Sequence, residues 1–280
     1  MVRTCSIIVL QYNHAELTRQ CLASLLAHVD RRHQVILVDN NSTDPQAREM
    51  GGEFPAVTFV ACRENGGFSR GNNAGAVHAT GDVLLFLNND TLVQSDFVAP
   101  ILRRFDESPQ AGIVGPRLLN GDESFQLSAG RLPTFGREMI DKAIAAATEG
   151  SSRAVARIVE GWFARARTVG WVTGAALAIR RDVFERVGGF EESFFMFFED
   201  KDLCARVQNA GFEVWYDPAS ELRHLRGGSA NSRTAMAYRA SQVIYYGRHR
   251  SRLEQRLLAA YLRLMGKHPG GHAAVDPARH

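Results

Sequence analysis

The stretch Asp82-Val-Leu-Leu-Phe-Leu-Asn-Asn-Asp90 decides the fold, because it joins a buried apolar segment to a polar end. Residues 83–87 are too few for a helix and too continuous for a half-exposed strand, so they predict a strand buried on both faces. Open α/β sheets bind ligands beyond the carboxyl ends of parallel strands. The oxygens of Asn88 and Asp90 are also donors that divalent ions prefer. Asn88, Asn89 and Asp90 therefore predict either a ligand site or only a turn before a capped helix.

Strands and helices alternate along the first half of the chain. Further strands are predicted at residues 6–10, 35–38, 57–61 and 113–114, and helices at residues 16–29 and 97–105. The short links between them favour an α/β fold with a Rossmann-like, mostly parallel central sheet flanked by helices. Polar residues also follow the first two strands, Tyr12 and Asn13 after one and Asp39 after the other. Three polar strand ends favour a shared ligand site over a coincidence of turns.

A glycine-rich segment, Asn65-Gly-Gly-Phe-Ser-Arg-Gly-Asn-Asn-Ala-Gly75, follows the third predicted strand. Its glycines allow the backbone to approach a ligand closely, and its later residues begin a helix. The segment lacks the GxGxxG spacing of dinucleotide-binding folds. Two interpretations remain open, a ligand-binding loop and an ordinary turn with asparagine caps.

The pattern weakens after residue 120 and recovers near residue 171. We interpret residues 121–167 as a mobile insertion over the site, with helices at 139–147 and 154–166. The core then resumes with a strand at 171–179, a short helix at 182–187 and a late strand at 213–216.

Three acidic residues, Glu199, Asp200 and Asp202, open a predicted helix after a run of phenylalanines at 194–198. Asp202 lies four residues before Arg206, which predicts a structural ion pair across one helical turn. An aromatic wall beside Glu199 or Asp200 would raise the proton affinity of the carboxylate, as a general base requires. Alternatively, the phenylalanines are core and the acids only complement the helix dipole.

The C-terminal part of the chain is basic. Residues 223–268 contain ten Lys and Arg against one Glu, a difference of nine charges, and residues 235–267 are strongly helical in pattern. This helix either lies on an anionic membrane surface or packs on the domain with a solvated basic face. His224 precedes it, and a single histidine is more often structural than a ligand. Residues 269–280 are predicted to form a disordered tail.

Composition limits the class of protein. The chain has 280 residues, of which 45% are hydrophobic, enough for a full core. Its four cysteines have neither zinc-finger nor CxxC spacing, which predicts reduced thiols in a cytoplasmic protein. No stretch approaches the roughly 20 apolar residues of a membrane span, so contact with the inner face of the cell membrane would be peripheral.

Taken together, these segments resemble family 2 glycosyltransferases of the GT-A fold, and most closely the bacterial rhamnosyltransferase-like members. The likeness runs in chain order from residue 6 to residue 229. It is carried by Ser6-Ile-Ile-Val-Leu-Gln-Tyr-Asn13, Val38-Asp-Asn-Asn-Ser-Thr-Asp44, Glu64-Asn-Gly-Gly-Phe-Ser-Arg-Gly-Asn-Asn-Ala-Gly75, Leu87-Asn-Asn-Asp90, Trp171-Val-Thr-Gly-Ala175, Gly188-Gly-Phe190 and Phe198-Glu-Asp-Lys-Asp-Leu203.

The resemblance implies inverting transfer of a sugar from a nucleotide diphosphate to an acceptor hydroxyl. Its implied donor-binding residues are Tyr12, Asn13, Asp39, Asn65, Gly67, Asn73, Asn88, Asn89 and Asp90. Asn88 and Asp90 match a metal-binding Asp-x-Asp element, in which Asn88 replaces the first Asp, and His224 matches a late metal ligand. The implied cofactor is a divalent metal, Mn²⁺ or Mg²⁺. Asp200 matches the catalytic base, with Glu199 as second candidate.

On the acceptor side, Trp171 and Gly174 match a region near the acceptor, and an indole face is a good platform for a sugar ring. The first expected donor is dTDP-rhamnose and the second a UDP-hexose, with a polysaccharide or lipid-linked glycan as acceptor. A non-catalytic sugar-nucleotide-binding protein with a degenerate metal site is the alternative. No nucleic-acid-binding motif is present, so a nucleic-acid partner is not expected.

The expected domain organisation follows the same likeness. Residues 1–230 are predicted to form the GT-A domain, with a nucleotide-binding half at about 1–118 and an acceptor and catalytic half at 119–230. Residues 231–268 form the basic amphipathic helical extension, and residues 269–280 the tail.

Overall fold

The structure is a computed structural model that describes residues 3–138, 140, 159–225 and 232–266. Its strands are β1 (Cys5–Gln11), β2 (Gln34–Asp39), β3 (Thr58–Ala61), β4 (Val83–Asn88), β5 (Thr91–Leu92), β6 (Ala111–Leu119), β7 (Phe125–Gln126), β8 (Ala129–Gly130), β9 (Arg167–Thr168), β10 (Trp171–Val172), β11 (Ala176–Arg180) and β12 (Glu213–His224). Its helices are α1 (Ala15–His28), α2 (Pro45–Glu53), α3 (Gly67–Ala76), α4 (Val98–Glu107), α5 (Arg181–Arg186), α6 (Glu199–Asn209), α7 (Ser232–His249) and α8 (Arg252–Leu264).

The central sheet has the order β3-β2-β1-β4-β11-β6-β12-β5. Strands β3, β2, β1 and β4 are parallel, as predicted, while β11 runs antiparallel between β4 and β6. Register pairs Gln11 with Asp39 and Leu10 with Asn88. The carboxyl ends of β1, β2 and β4 therefore lie side by side, which confirms that the polar strand ends share one edge of the sheet.

Strand β4 is buried on both faces, as its continuous apolar run predicts. Leu85 and Leu87 belong to the core cluster with α1 and α4, while Leu84 and Phe86 belong to the cluster on the opposite face. Thr91 and Leu92 continue into strand β5, so the expected alternative of a turn that directly caps a helix is wrong.

Several predicted elements have different boundaries, among them the strand predicted at 113–114, which is the nine-residue β6 (Ala111–Leu119). The strand predicted at 171–179 is two strands, β10 and β11, because the chain turns at Gly174 to meet α6. The strand predicted at 213–216 extends to His224, since an irregularity between Asp217 and Glu221 lets β12 continue along β6 past Pro218. The helix predicted at 235–267 breaks before Ser251, whose side chain caps α8.

The remaining predictions concern parts of the chain that are only partly described. The helix predicted at 139–147 falls outside the described residues except for residue 140, and so does the whole predicted tail at 269–280. Of the helix predicted at 154–166, residues 159–166 are described, and they are helical only as far as residue 162. Among the residues that are described, no helix has the length and apolar character needed to cross a membrane.

Candidate active site

The first wall of the candidate site lies where β1 and β2 end. Asp39 is buried, and its carboxylate accepts hydrogen bonds from the Ser42 hydroxyl at 2.5 Å and from Gln11 Nε2 at 3.3 Å. Asn13 has a left-handed backbone, with φ of 57°, and its Oδ1 accepts from the backbone amides of Thr43 and Asp44 at 2.8 and 3.0 Å. Asn13 therefore joins the two strand ends.

Tyr12 lies between Gln11 and Asn13 in the sequence and is half-buried. Since Tyr12 directly follows β1, which pairs in register with β2, this residue lies at the same edge of the sheet as Asp39. This edge joins an aromatic ring to a buried carboxylate, a combination able to bind a planar heterocycle with an N–H group.

The glycine-rich segment forms the turn before α3 and the start of that helix. Asn65 Oδ1 accepts from Asn40 Nδ2 at 2.9 Å and from the Gly67 amide at 3.1 Å. Gly67 has φ of 76°, and a Cβ there would lie 2.2 Å from the carbonyl oxygen of Phe195. Asn73 binds both the N–H and the C=O of Phe190, each at 2.9 Å. Asn65, Gly67 and Asn73 thus contact other parts of the protein and shape the segment.

The candidate metal site lies after β4. His224 Nε2 is 3.1 Å from Asp90 Oδ1 and 3.5 Å from Asn88 Nδ2, because β5 pairs His224 with Thr91. On its other side, His224 Nδ1 is 3.0 Å from the side-chain amide of Gln126. Such a second hydrogen bond fixes the ring orientation of a metal-binding histidine.

The donor set is one carboxylate, one imidazole and one amide. It fits a divalent ion that takes its remaining ligands from a diphosphate and water. In the described ranges, no three His, Cys, Asp or Glu side chains gather as a complete metal cluster. Asn89 points elsewhere, since its Nδ2 donates to Thr18 Oγ1 on α1 at 2.8 Å.

The candidate base lies at the start of α6. Asp200 and Glu199 are both buried. Asp200 Oδ2 accepts from the Gly174 amide at 3.1 Å, and Asp200 Oδ1 accepts from the Lys201 amide at 2.7 Å. Burial, together with the nearby charge of Asp200, raises the pKa of Glu199 to about 8. A carboxyl group that keeps its proton near neutral pH cannot accept another, so Asp200 is the better candidate for a base.

Two further residues complete this side of the site. The Lys201 ammonium lies 4.5 Å from the centre of the Trp171 ring and 3.6 Å from Asp200 Oδ1. Trp171 and Gly174, both predicted near the acceptor, are therefore brought next to Asp200. The indole and the ammonium together form a surface suited to a hydroxyl-rich or anionic ligand.

A short loop connects the metal side to the base side. The backbone N–H of Asn88 donates to the Ala175 carbonyl at 2.9 Å. The backbone N–H of the neighbouring Gly174 donates to the Asp200 carboxylate. The end of β4 and the start of α6 are thus linked through residues 174 and 175.

Comparison with protein families shows the enzyme class of the chain. The model for glycosyl transferase family 2 matches residues 6–188. The chain belongs to glycosyltransferase family 2. A second model, described as the N-terminal domain of galactosyltransferase, matches residues 157–226. The predicted enzyme class is confirmed, and the protein is a glycosyltransferase.

Relatives of this family 2 enzyme include two bacterial rhamnosyltransferases. The chain is 27% identical to the N-acetylglucosaminyl-diphospho-decaprenol L-rhamnosyltransferase of Mycobacterium tuberculosis, over 87% of this chain and 84% of the relative. It is 24% identical to the rhamnosyltransferase WbbL of Escherichia coli, over 83% of this chain and 88% of the relative. The predicted rhamnosyltransferase-like resemblance is confirmed.

Solved glycosyltransferase structures share the fold. GalNAc-T7, solved with UDP, GalNAc and Mn²⁺, matches with a TM-score of 0.63 and 16% identity, covering 86% of this chain and 48% of that chain. The mannosyltransferase PcManGT of Pyrobaculum calidifontis, solved with GDP-Man and Mn²⁺, matches with a TM-score of 0.54 and 19% identity, covering 96% of this chain and 82% of that chain. The GT-A fold is confirmed.

Several residues around the site were not predicted from the sequence. Asn40 is buried and donates to the Gly67 carbonyl at 3.1 Å, and Gln126 orients His224. Asn40 directly follows Asp39 in a polar strand end, which is a usable signal. Gln126 is far from any motif in sequence and becomes visible only through the pairing of β6 with β7.

Proposed function

We propose that this family 2 glycosyltransferase transfers a sugar, with inversion, from a nucleotide diphosphate to a hydroxyl of a polysaccharide or lipid-linked glycan. The observation that carries the proposal is the link from the Asn88 backbone N–H through residues 174 and 175 to the Asp200 carboxylate. It keeps a buried carboxylate next to the strand end expected to hold the diphosphate. The first candidate donor is dTDP-rhamnose, since both bacterial relatives are named as rhamnosyltransferases, and the second is a UDP-hexose.

Donor binding is assigned to the ends of β1 and β2. The Asp39 carboxylate can accept the imide N–H of thymine or uracil, while cytosine has no such donor at that edge. The ring of Tyr12 supplies an apolar surface for the base. Asn65, Gly67 and Asn73 keep the glycine-rich segment in the conformation that borders the donor, supported by their contacts with Asn40, Phe195 and Phe190.

A divalent ion, Mn²⁺ or Mg²⁺, would be held by Asp90 and His224. Asn88 would add its amide oxygen after a turn of its side-chain amide, because Nδ2 is the atom that faces His224 here. Such an ion neutralises the charge that develops on a departing diphosphate. Gln126 keeps His224 Nε2 directed at Asp90, supported by the distances of 3.0 and 3.1 Å on the two sides of the ring. The replacement of Asp by Asn at position 88 removes one negative charge from this set.

Asp200 is the proposed catalytic base. It removes the proton of the acceptor hydroxyl while that oxygen attacks the anomeric carbon on the face opposite the diphosphate, which inverts the configuration. The Gly174 amide fixes Asp200 Oδ2, supported by their distance of 3.1 Å. Trp171 and Lys201 form the proposed acceptor surface, supported by their contact at 4.5 Å.

The variant Asp200→Asn tests this assignment. Loss of a general base lowers turnover by about 10²- to 10⁴-fold, while the affinity for UDP or dTDP is expected to change little. Asp182→Asn is the matched control, because Asp182 also lies in the first turn of a helix but is exposed. Transfer would be measured by mass spectrometry with dTDP-rhamnose, UDP-hexoses and a synthetic N-acetylglucosaminyl-diphosphoryl lipid. Equal losses of turnover and nucleotide affinity would contradict the role as base.

A cytoplasmic location with peripheral contact to the inner face of the membrane is also part of the proposal. Helix α8 buries Leu258 and Leu262 against the protein, so the packed interpretation of the C-terminal helix is supported. A second apolar stripe of α8, formed by Leu253, Leu257 and Leu264, is exposed. Exposed arginines flank that stripe, namely Arg252, Arg256 and Arg263. Apolar and cationic groups in this arrangement fit an anionic lipid surface, which would carry a lipid-linked acceptor.

Sedimentation with lipid vesicles tests the membrane contact. We expect the protein to bind vesicles with phosphatidylglycerol and to bind pure phosphatidylcholine vesicles much less, with binding weakened by salt. The double variant Leu253→Ser, Leu257→Ser should reduce the binding, whereas Val243→Ser, on the exposed side of α7, should leave it unchanged. Equal binding of wild type and double variant would contradict the contact.

A further inference from the structure

One face of α7 contacts the loop that precedes the candidate base. Tyr238, Ser241, Tyr245 and His249 follow one another at spacings of three, four and four residues, so they lie on one side of the helix. The loop consists of residues 194–198 and leads directly into Asp200 on α6. Helix α7 lies beyond residue 188, where the match to the family model ends.

The contacts between α7 and the loop are specific. The Ser241 hydroxyl donates to the Met196 carbonyl at 2.7 Å. The ring of Tyr238 lies 5.1 Å from that of Phe198, and the ring of Tyr245 lies 5.4 Å from it, centre to centre. His249 Nε2 lies 2.7 Å from Asp202 Oδ1, one turn into α6. Helix α7 thus holds both the entry and the first turn of α6.

The loop requires such support because its backbone is strained. Phe197 and Phe198 have φ of 70° and 65°, a left-handed conformation that bulky residues rarely adopt. A residue in this conformation is strained and persists only where the surroundings enforce it. Phe198 is buried between α6 and α7, and it immediately precedes Glu199. The contacts of Phe198 with α7 can therefore enforce this left-handed conformation.

The same loop also touches the donor side of the site. The Phe195 carbonyl accepts from the Phe68 amide at 2.7 Å and lies against Gly67. The loop is consequently held between the glycine-rich segment on one side and α7 on the other. A shift of the loop would move Asp200 relative to the donor.

We propose that α7 is a positioning element of the active site, in which Ser241 and His249 act as positioning residues for Asp200. The inference rests on the proposed role of Asp200 as catalytic base. It adds a C-terminal helix to the machinery of the enzyme, through contacts to the Met196 carbonyl and to Asp202. Neither residue reaches the reacting atoms, and both act by holding the loop and the first turn of α6.

The test compares four variants of the full-length chain. His249→Ala removes the donor to Asp202, and His249→Gln retains a side-chain N–H at a similar reach. Ser241→Ala removes the hydrogen bond to Met196 with little change in volume. Val243→Ala is the control, because Val243 is exposed on the opposite side of α7. Transfer kinetics, calorimetric dTDP and UDP affinities and amide hydrogen exchange would be measured for each.

We expect His249→Ala to lower kcat by about 10- to 100-fold, as misplacement of a catalytic group by about 1 Å does. Nucleotide affinity should stay within about twofold, and His249→Gln should recover most of the activity. Ser241→Ala should lower kcat in the same direction by a smaller factor. Exchange should accelerate in residues 194–202 and remain unchanged in β4.

Three results would overturn the proposal. Wild-type kcat and exchange in both His249→Ala and Ser241→Ala would remove any positioning role. Parallel losses of kcat, nucleotide affinity and global stability, without recovery in His249→Gln, would make His249 a merely structural residue. If His249→Ala fails to fold, unchanged kcat and exchange in Ser241→Ala would by themselves refute the proposal. Absence of transfer by the wild type would instead contradict the proposed function, and hydrogen exchange would still decide whether α7 holds the loop.

Discussion

Replacement of Asp202 by asparagine should destabilise the protein markedly. The Asp202 side chain is fully buried and has three basic partners, two arginines and one histidine. Its Oδ2 lies 2.7 Å from Arg206 Nε, and its Oδ1 lies 2.7 Å from His249 Nε2 and 3.3 Å from Arg248 Nε. The predicted Asp202–Arg206 pair is therefore confirmed, and it extends to helix α7.

The expected loss of unfolding free energy in Asp202→Asn follows from the burial of its partners. Removal of one member of a buried ion pair costs about 3–5 kcal/mol, because the remaining charge is left without compensation. Here the side chains of Arg206, His249 and Arg248 keep 18%, 11% and 41% exposure, and asparagine retains one acceptor oxygen. The lower end, about 3 kcal/mol, is expected. For a chain of this size that corresponds to a fall in Tm of about 6–12 °C.

Urea unfolding of wild type and variant across pH would check this expectation. Burial raises the pKa of Asp202, but the hydrogen bonds from His249 and Arg206 outweigh that effect and lower it overall. A carboxyl group with a lowered pKa contributes stability that is full above its unfolded pKa, about 3.9, and is lost as pH falls through the folded value. The advantage of wild type over Asp202→Asn should therefore be full at pH 7 and shrink below about pH 3.9.

Asp182→Asn is the control, since the Arg180–Asp182 pair is exposed and should contribute about 1 kcal/mol or less. The reasoning would be refuted if Asp202→Asn cost no more than this control at pH 7. A difference that stays constant down to pH 2 would refute the electrostatic part alone.

Three further changes give distinct results. Gly67→Ala should destabilise the protein by more than about 1 kcal/mol and weaken dTDP binding, because the added Cβ would collide with the Phe195 carbonyl. The control Gly52→Ala, whose Cβ enters open space, should be neutral or stabilising; calorimetry measures both effects. The stability of Glu199→Gln relative to wild type should increase as pH rises from about 5 to 8. In this range Glu199 of the wild type keeps its proton in the folded state but loses it in the unfolded state, which favours unfolding. A difference in urea midpoint that does not depend on pH would contradict this. His224→Ala should reduce the enhancement of UDP or dTDP affinity by Mn²⁺ by at least about tenfold, and an unchanged enhancement in calorimetry would exclude His224 as a ligand.

The parallel part of the sheet, β1 to β4, is predictable from local sequence. Strand β4 is apolar throughout because both of its faces are covered, and the polar ends of β1, β2 and β4 meet because parallel strands end at one edge. Both signals lie within single short segments. The antiparallel insertion of β11 between β4 and β6 depends on long-range pairing and has no local signature.

The roles of individual polar residues were harder to predict. The amides of Asn13, Asn65 and Asn73 bind protein backbone or side chains, and sequence alone does not distinguish such support from ligand contact. Of the phenylalanine run, Phe194 and Phe198 are core, as the alternative interpretation held. Yet Glu199 and Asp200 are buried as well, so the expected desolvation is present.

The C-terminal helices illustrate a third limit. Their apolar and basic pattern fits both packing and membrane contact, and α8 has a stripe for each. Helical spacing alone could not assign one face to the protein and the other to solvent. That assignment needed the position of Phe194 and Phe198, which belong to another segment of the chain.

The most direct test of the account is a calorimetric titration of the wild type with dTDP, UDP, GDP and CDP, each with Mn²⁺ and with EDTA. The account predicts that dTDP or UDP binds most tightly, that Mn²⁺ strengthens the binding, and that Asp39→Asn removes the preference over CDP. Binding of no nucleotide under any condition, or the same preference for dTDP or UDP over CDP in wild type and in Asp39→Asn, would contradict a donor site at the ends of β1, β2 and β4.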